Sequence, residues 1–169
     1  MQLHIYRLAK AVKVDVIASM SGEMTKSDEP TAATTRAWVG LMRAQRSVLS
    51  AIEKDFKAAG LPPFGWYDVL WELVKAEDGR LRPFEIEART LLAQYNLSRL
   101  IDRLEKEGLV RREAFEEDAR GCWVVVTEAG RAMRARMWET YGPSITRHVG
   151  RRLSEAEASA LAALLSRLG

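Results

Sequence analysis

The chain has 169 residues, carries a net charge of +3 and has a sequence pI near 9.2. With 47% apolar residues it can bury a core, which excludes a disordered chain and fits one domain of usual size, or one domain with an arm. Its one cysteine, Cys122, excludes an intramolecular disulfide and suits a reducing cytoplasm, while the mild positive balance favours nucleic acid only weakly.

Residues 1–29 form an N-terminal extension of unclear role. Ile5, Leu8, Val12 and Val16 fit a helical stripe, while Val12, Val14 and Val16 alternate as in a strand. Two readings stay open: an arm that covers a partner, or an extension from an upstream start, with Met20 and Met24 as later starts. Lys10, Lys13 and Asp15 break any long apolar run, so neither a signal peptide nor a membrane span is expected.

Asp28-Glu29-Pro30-Thr31 reads as a helix start, and the helix is predicted to run to about Ala59. Trp38, Leu41, Met42, Gln45, Val48, Leu49, Ile52 and Phe56 trace its expected buried face, and Gly60-Leu61-Pro62-Pro63 ends it. Phe64–Lys75 is a second helix, with Trp66, Val69, Leu70 and Leu73 inward. A turn over Ala76–Arg82 follows, in which Leu81 enters a short strand. Pro83 suits the first position of a third helix, Pro83–Arg89, and Thr90-Leu91-Leu92 is a turn.

Gln94–Gly108 is the stretch around which the rest is arranged. Leu97, Leu100, Ile101 and Leu104 recur at i, i+3, i+4 and i+7, which is one apolar stripe at helical period. Tyr95 and Arg99 lie opposite it, flanked by Asn96, Ser98 and Arg103, and Gly108 is a natural helix stop. Leu109–Phe115, a charged tip over Glu116–Gly121, and Cys122–Thr127 then read as a two-stranded ribbon. A helix followed at once by such a ribbon is the layout of a winged helix–turn–helix, which sets one helix in the major groove and the hairpin beside it.

Beyond the ribbon, Thr127 can cap a helix over Glu128–Thr140, and Gly142-Pro143 is expected to break or kink it before Ser144–Arg152. Ser154 with Glu157 is a capping box opening a last helix, whose stripe is Leu161, Leu164, Leu165 and Leu168. The fold class is therefore mainly α with a small antiparallel β-wing. Residues 63–127 form the winged helix–turn–helix, and 30–62 with 128–169 form a helical dimerisation region from both chain ends, whose apolar faces suit a C₂ homodimer.

Three segments come in one order and spacing: Leu97 to Val110 with its Gly-Leu-Val ending, Asp118-Ala119-Arg120-Gly121, and Val126-Thr127-Glu128-Ala129-Gly130. Together they resemble the MarR family of bacterial transcription regulators, over roughly Thr31 to Leu168. The apolar Leu91-Leu92 turn departs from the family's pattern, which often has a glycine or a polar residue there. The resemblance implies a dimeric regulator, expected to repress, that binds double-stranded DNA at a pseudo-palindromic operator. It also implies a small aromatic effector held between the dimer scaffold and the winged domain.

For DNA binding the candidates are Gln94, Tyr95, Asn96, Ser98, Arg99, Arg103 and Arg120. Gln94 and Asn96 carry amides that can address adenine, and Arg99 can reach guanine or phosphate. Ser98 and Tyr95 suit phosphate oxygens, while Arg103 suits a backbone contact or an ion pair with Asp102 or Glu107. Arg120 suits a narrow minor groove, with Asp118 holding it extended, and Arg111 and Arg112 suit structural or phosphate contacts. For the effector the candidates are Trp38, Arg43, Trp66, Tyr67 and Trp71, an apolar pocket with one polar handle.

Cys122 reads as a small apolar strand residue rather than an oxidant sensor. His4 and His148 are too far apart in sequence for a metal motif, and no phosphate-cradling loop or nucleophile elbow is present, so no metal, no cofactor and no enzyme are expected. The alternative is a winged-helix module that binds another protein and has little affinity for specific DNA.

Overall fold

The computed structural model describes residues 29–90, 97–115 and 118–168, with side chains at all of these except 115 and 118–120. They fall into two units, divided after Ala44, and helix α1 (Ala32–Ala58) starts in the first and ends in the second.

In the first unit the Thr31 hydroxyl accepts the Thr34 N–H at 3.1 Å and so caps α1. Trp38 is 60% exposed and Met42 38%, and Arg43 is exposed. Within the single chain, little of the expected buried face of α1 is covered. Only Ile52 and Phe56 are buried, Leu41, Val48 and Leu49 are half-buried, and Gln45 is exposed. Period shows which face of a helix is apolar, not what covers it.

The second unit takes its elements in the order α2 (Phe64–Lys75), β1 (Arg80–Leu81), α3 (Pro83–Arg89), α4 (Leu97–Lys106), β2 (Val110–Phe115), β3 (Asp118–Val126), α5 (Glu128–Ile145), a π-turn (Thr146–Gly150) and α6 (Glu155–Leu165). The strands form one antiparallel sheet in the order β1-β3-β2. Leu81 stands opposite Val124, Val110 opposite Val126, and Glu113 opposite Trp123. Local signals account for the helix ends. Pro83 fills the first position of α3, and the Glu85 carboxylate accepts the Arg82 N–H at 2.7 Å. Ser154 and Glu157 form the reciprocal capping box of α6.

Two apolar clusters hold this unit. Val69, Leu70 and Leu73 of α2 meet Ile86, the apolar stripe Leu97, Ile101 and Leu104 of α4, and Leu81, Val110, Val124 and Val126 of the sheet. Ile52, Phe56, Phe64, Tyr67 and Met137 form a second, more aromatic cluster. Trp66 and Met133 pack against both.

One expectation is corrected here and another narrowed. The hairpin tip is shorter than Glu116–Gly121, because strand pairing starts again at Asp118, opposite Phe115, after a bulge between Ala114 and Phe115. Of the break or kink expected at Gly142-Pro143, the break is absent, and the helix after the wing runs on to Ile145. Pro143 lacks the N–H that the Glu139 carbonyl would receive, a local cost that packing can outweigh. Fully buried Met137 and the Ser144 hydroxyl, which donates to Asp55 at 2.7 Å, hold the helix through that point. The ladder then widens, and the Arg151 N–H bonds the Thr146 carbonyl at 2.8 Å, five residues back.

Candidate nucleic-acid interface

The described part of α4 has three rows. Leu97, Ile101 and Leu104 are buried and anchor it on the sheet and α2. Arg99, Arg103 and Lys106, at i, i+4 and i+7, form an exposed basic row. Ser98, Asp102 and Glu105 form the row beside it, exposed to half-buried. Of the predicted reading residues, the structure therefore presents Ser98, Arg99 and Arg103 on the exposed side of one helix. Gln94, Tyr95 and Asn96 lie outside the described residues. Arg120 lies in β3, and its side chain is outside them too.

α4 ends where expected. Gly108 has φ +70°, the Gly108 N–H bonds the Glu105 carbonyl and the Leu109 N–H bonds that of Leu104, both at 2.9 Å. α5 starts directly against this turn. The Thr127 hydroxyl donates to the Gly108 carbonyl at 2.7 Å and accepts the Gly130 N–H at 3.1 Å, and the Thr127 N–H reaches the Leu109 carbonyl at 3.1 Å.

The wing base is ordered by ion pairs. The Arg112 guanidinium binds Asp102 at 2.6 Å and also Glu105, and the Arg112 N–H donates to Glu105 Oε1 at 3.1 Å. Arg111 instead pairs with Glu113 on its own strand, at 2.5 and 2.9 Å. These ion pairs support the structural reading of both arginines, and Asp102 pairs with Arg112 rather than with Arg103. Nearby, the guanidinium carbons of Arg80 and Arg82 stand 4.9 and 5.3 Å from the centre of the Trp123 ring. The shallow cleft there, about 200 Å³, is lined by Glu77, Asp78 and Glu85 as well as arginines, a poor match to phosphate.

A second cleft, of about 260 Å³, lies between α2 and α5. Phe64, Tyr67, Asp68 and Trp71 enter it from α2 at i, i+3, i+4 and i+7, and Arg134, Trp138 and Tyr141 from α5 at i, i+4 and i+7. The guanidinium carbon of Arg134 lies 4.2 Å from the Trp71 ring centre, and its Nε is buried with no hydrogen-bond acceptor. Tyr67 and Tyr141 meet nearly edge to face, 4.8 Å between centroids, and burial raises the pKa of both phenols. Of the predicted effector residues, Tyr67 and Trp71 line this cleft. Trp66 packs into the two cores instead, and Trp38 and Arg43 belong to the first unit. Sequence reasoning missed Arg134, Trp138 and Tyr141, whose common helical spacing was the available signal.

At the inner end of α5 and the π-turn, Asp55 Oδ2 accepts from Ser144 at 2.7 Å and Arg147 at 3.0 Å, and lies 2.9 Å from His148 Nε2. The hydrogen bonds from Ser144 and then His148 hold the Asp55 carboxyl below its ordinary value. Ser144 and His148 meet the same carboxylate oxygen, so this is a tie between helices and not a nucleophile–base relay. Among the described residues no cluster of His, Cys, Asp and Glu could hold a metal ion, and no helix is long and apolar enough to cross a membrane.

Residues 59–121 match the model of the MarR family. The HTH-type transcriptional repressor YetL of Bacillus subtilis is 28% identical over 101 residues, 60% of either chain. AbsC, a MarR family transcriptional regulator from Streptomyces coelicolor, is 28% identical with a TM-score of 0.71 over 83% of this chain and 94% of its own. Sco3205, a MarR family transcriptional regulator from the same organism solved in complex with DNA, is 25% identical with a TM-score of 0.73, over 83% and 90%.

Proposed function

We propose that this chain is a winged helix–turn–helix transcription regulator of the MarR family and acts as a homodimeric repressor that occupies a pseudo-palindromic operator. One observation carries the reading. α4 is anchored by the buried Leu97, Ile101 and Leu104, presents an exposed row of Arg99, Arg103 and Lys106, and runs directly into a β-hairpin. A rigid helix with one face free for the major groove and cations for the flanking phosphates is what sequence readout needs. Ser98 joins the reading set from the start of α4, the sequence adds Gln94, Tyr95 and Asn96 to it, and Arg120 takes the minor groove from the wing. Residues 30–62 and 128–169 supply the dimer interface. The exposed Leu161, Leu164 and Leu168 of the C-terminal segment, and Trp38 and Met42 of α1, support that assignment.

The cleft between α2 and α5 takes a small aromatic effector that releases the DNA. Ring walls offer stacking, and the Arg134 guanidinium in the lining supplies a polar handle for an acceptor atom on the ligand. An effector acts by preferring one arrangement of the reading helices.

The test is a titration of the purified dimer on the intergenic duplex beside its own gene, at two salt concentrations. Tight binding is expected, with a footprint of two half-sites one helical turn apart. Affinity should fall by roughly 10³-fold or more between 50 and 200 mM salt if six or more phosphates are contacted. Arg99→Ala should abolish it. Binding no better than to a random duplex, with Arg99→Ala unchanged, would refute the reading and leave a protein-binding module.

A further inference from the structure

We propose that Arg112 is a positioning residue for DNA binding, the brace that sets the wing at a fixed angle to the reading helix. The inference rests on the DNA-reading role proposed above. β1 pairs with β3 only at Val124 and Val125, and Arg112 stands in register with Val124. From that level toward the tip, β2 and β3 pair only with each other. A two-stranded ribbon alone has no fixed direction in water and is marginal in stability. Whatever aims it must act at its base, and Arg112 is the base residue.

Alternation along β2 turns Arg111 and Arg112 to opposite sides of the ribbon. Arg111 stays within its own strand, on Glu113. Arg112 crosses to α4, where Asp102 and Glu105 stand three residues apart on one row and receive its two terminal nitrogens. Glu105 also accepts the Arg112 backbone N–H, so one carboxylate holds both the main chain and the side chain of the same strand residue. A planar guanidinium with two anchors fixes an orientation as well as a distance, which a lysine cannot do.

The chemistry does not point to stability as the main role. Arg112 is one-third exposed, and Asp102 is 61% exposed. Pairs so open to water add little to folding. What the brace changes is the angle of the hairpin. The same helix that carries the basic row Arg99 and Arg103 carries, one row over, the acids that aim Arg120. Reading helix and wing then reach one duplex together, without an ordering cost on binding.

The experiment is a double-mutant cycle on operator affinity, using a fluorescein-labelled duplex from the intergenic region beside the gene. Its corners are the wild-type chain, Arg112→Met, Arg120→Ala and the double variant, each with its melting temperature. Arg112→Met is expected to weaken binding on the order of tenfold, the size of one lost groove contact, with little change in melting. Arg120→Ala should then cost little more in that background, because an unaimed wing no longer delivers Arg120. Arg112→Lys should fall between, and Asp102→Asn with Glu105→Gln should reproduce Arg112→Met. Wild-type affinity in Arg112→Met overturns the proposal. So do losses that simply multiply, and so does a silent Arg120→Ala in a chain where Arg99→Ala abolishes binding. If the wild-type chain itself prefers the duplex no more than random DNA, the DNA-reading role falls, and the brace with it.

Discussion

Gly130→Ala adds one methyl group where, among the described glycines compared, a Cβ has the least room. A Cβ at Gly130 would lie 2.1 Å from the Leu109 carbonyl oxygen and 2.9 Å from Val126 Cγ2. Carbon and oxygen approach to about 3.3 Å even in favourable contacts, so the oxygen or α5 must move by roughly 1.2 Å. Neither is loose. The Leu109 carbonyl accepts the Thr127 N–H, and Thr127 caps α5 while bonding Gly108. Overpacking costs about 1–3 kcal/mol, a disrupted cap about 1 and a lost backbone bond about 1. Alanine returns about 1 kcal/mol through its better helix propensity. The net expectation is a loss of about 2–4 kcal/mol. For a chain of this size that lowers the melting temperature by roughly 5–15 °C. Thermal unfolding followed by circular dichroism, checked by urea titration, measures it. A variant that melts within about 1 °C of the parent would refute the close-approach argument.

Asp55→Asn removes a carboxyl whose folded-state pKa lies below its ordinary value of 3.8, because Ser144 and His148 donate to it. A depressed carboxyl stabilises the fold above the unfolded-state value, and that stability is lost as pH falls through the folded-state value. The parent should therefore lose stability below about pH 4 more steeply than the variant, and equal slopes in acid melts would count against the tie. Arg134→Gln removes the cation stacked on Trp71 and should change tryptophan emission and abolish release of DNA by aromatic ligands, while operator affinity without ligand stays within about twofold of the parent. Unchanged release would refute this cleft as the effector site. Ser154→Ala should cost about 1 kcal/mol through the lost cap of α6, readable as a small fall in the urea midpoint.

Much of the fold was legible because its signals are local. Pro83 marked α3, Gly108 the end of α4, Ser154 with Glu157 the start of α6, and the isolated Leu81 the third strand. Pro143 left a break and a kink open for the same reason. A local rule says a proline breaks a helix, and the packing that overrules it comes from Asp55, 89 residues away. The exposed stretch of α1 shows the complementary limit, since an apolar stripe announces a surface without naming its cover. At the candidate site, Ser98, Arg99 and Arg103 could be placed by period alone. The partner of Arg112 could not, because it depends on how a strand lies over a helix. Nor could Arg134, which becomes notable only once Trp71 is seen beneath it.

Trp66 and Met133 each belong to both apolar clusters. In evolutionary terms these two positions are a shared constraint. A substitution that suits the wing's core must also suit the aromatic one, so neither core can drift in shape alone through them. A deep mutational scan should find both positions intolerant. It should also find them rich in epistasis, with changes at Leu70 or Val124 on one side altering which residues Phe56 or Met137 accept on the other.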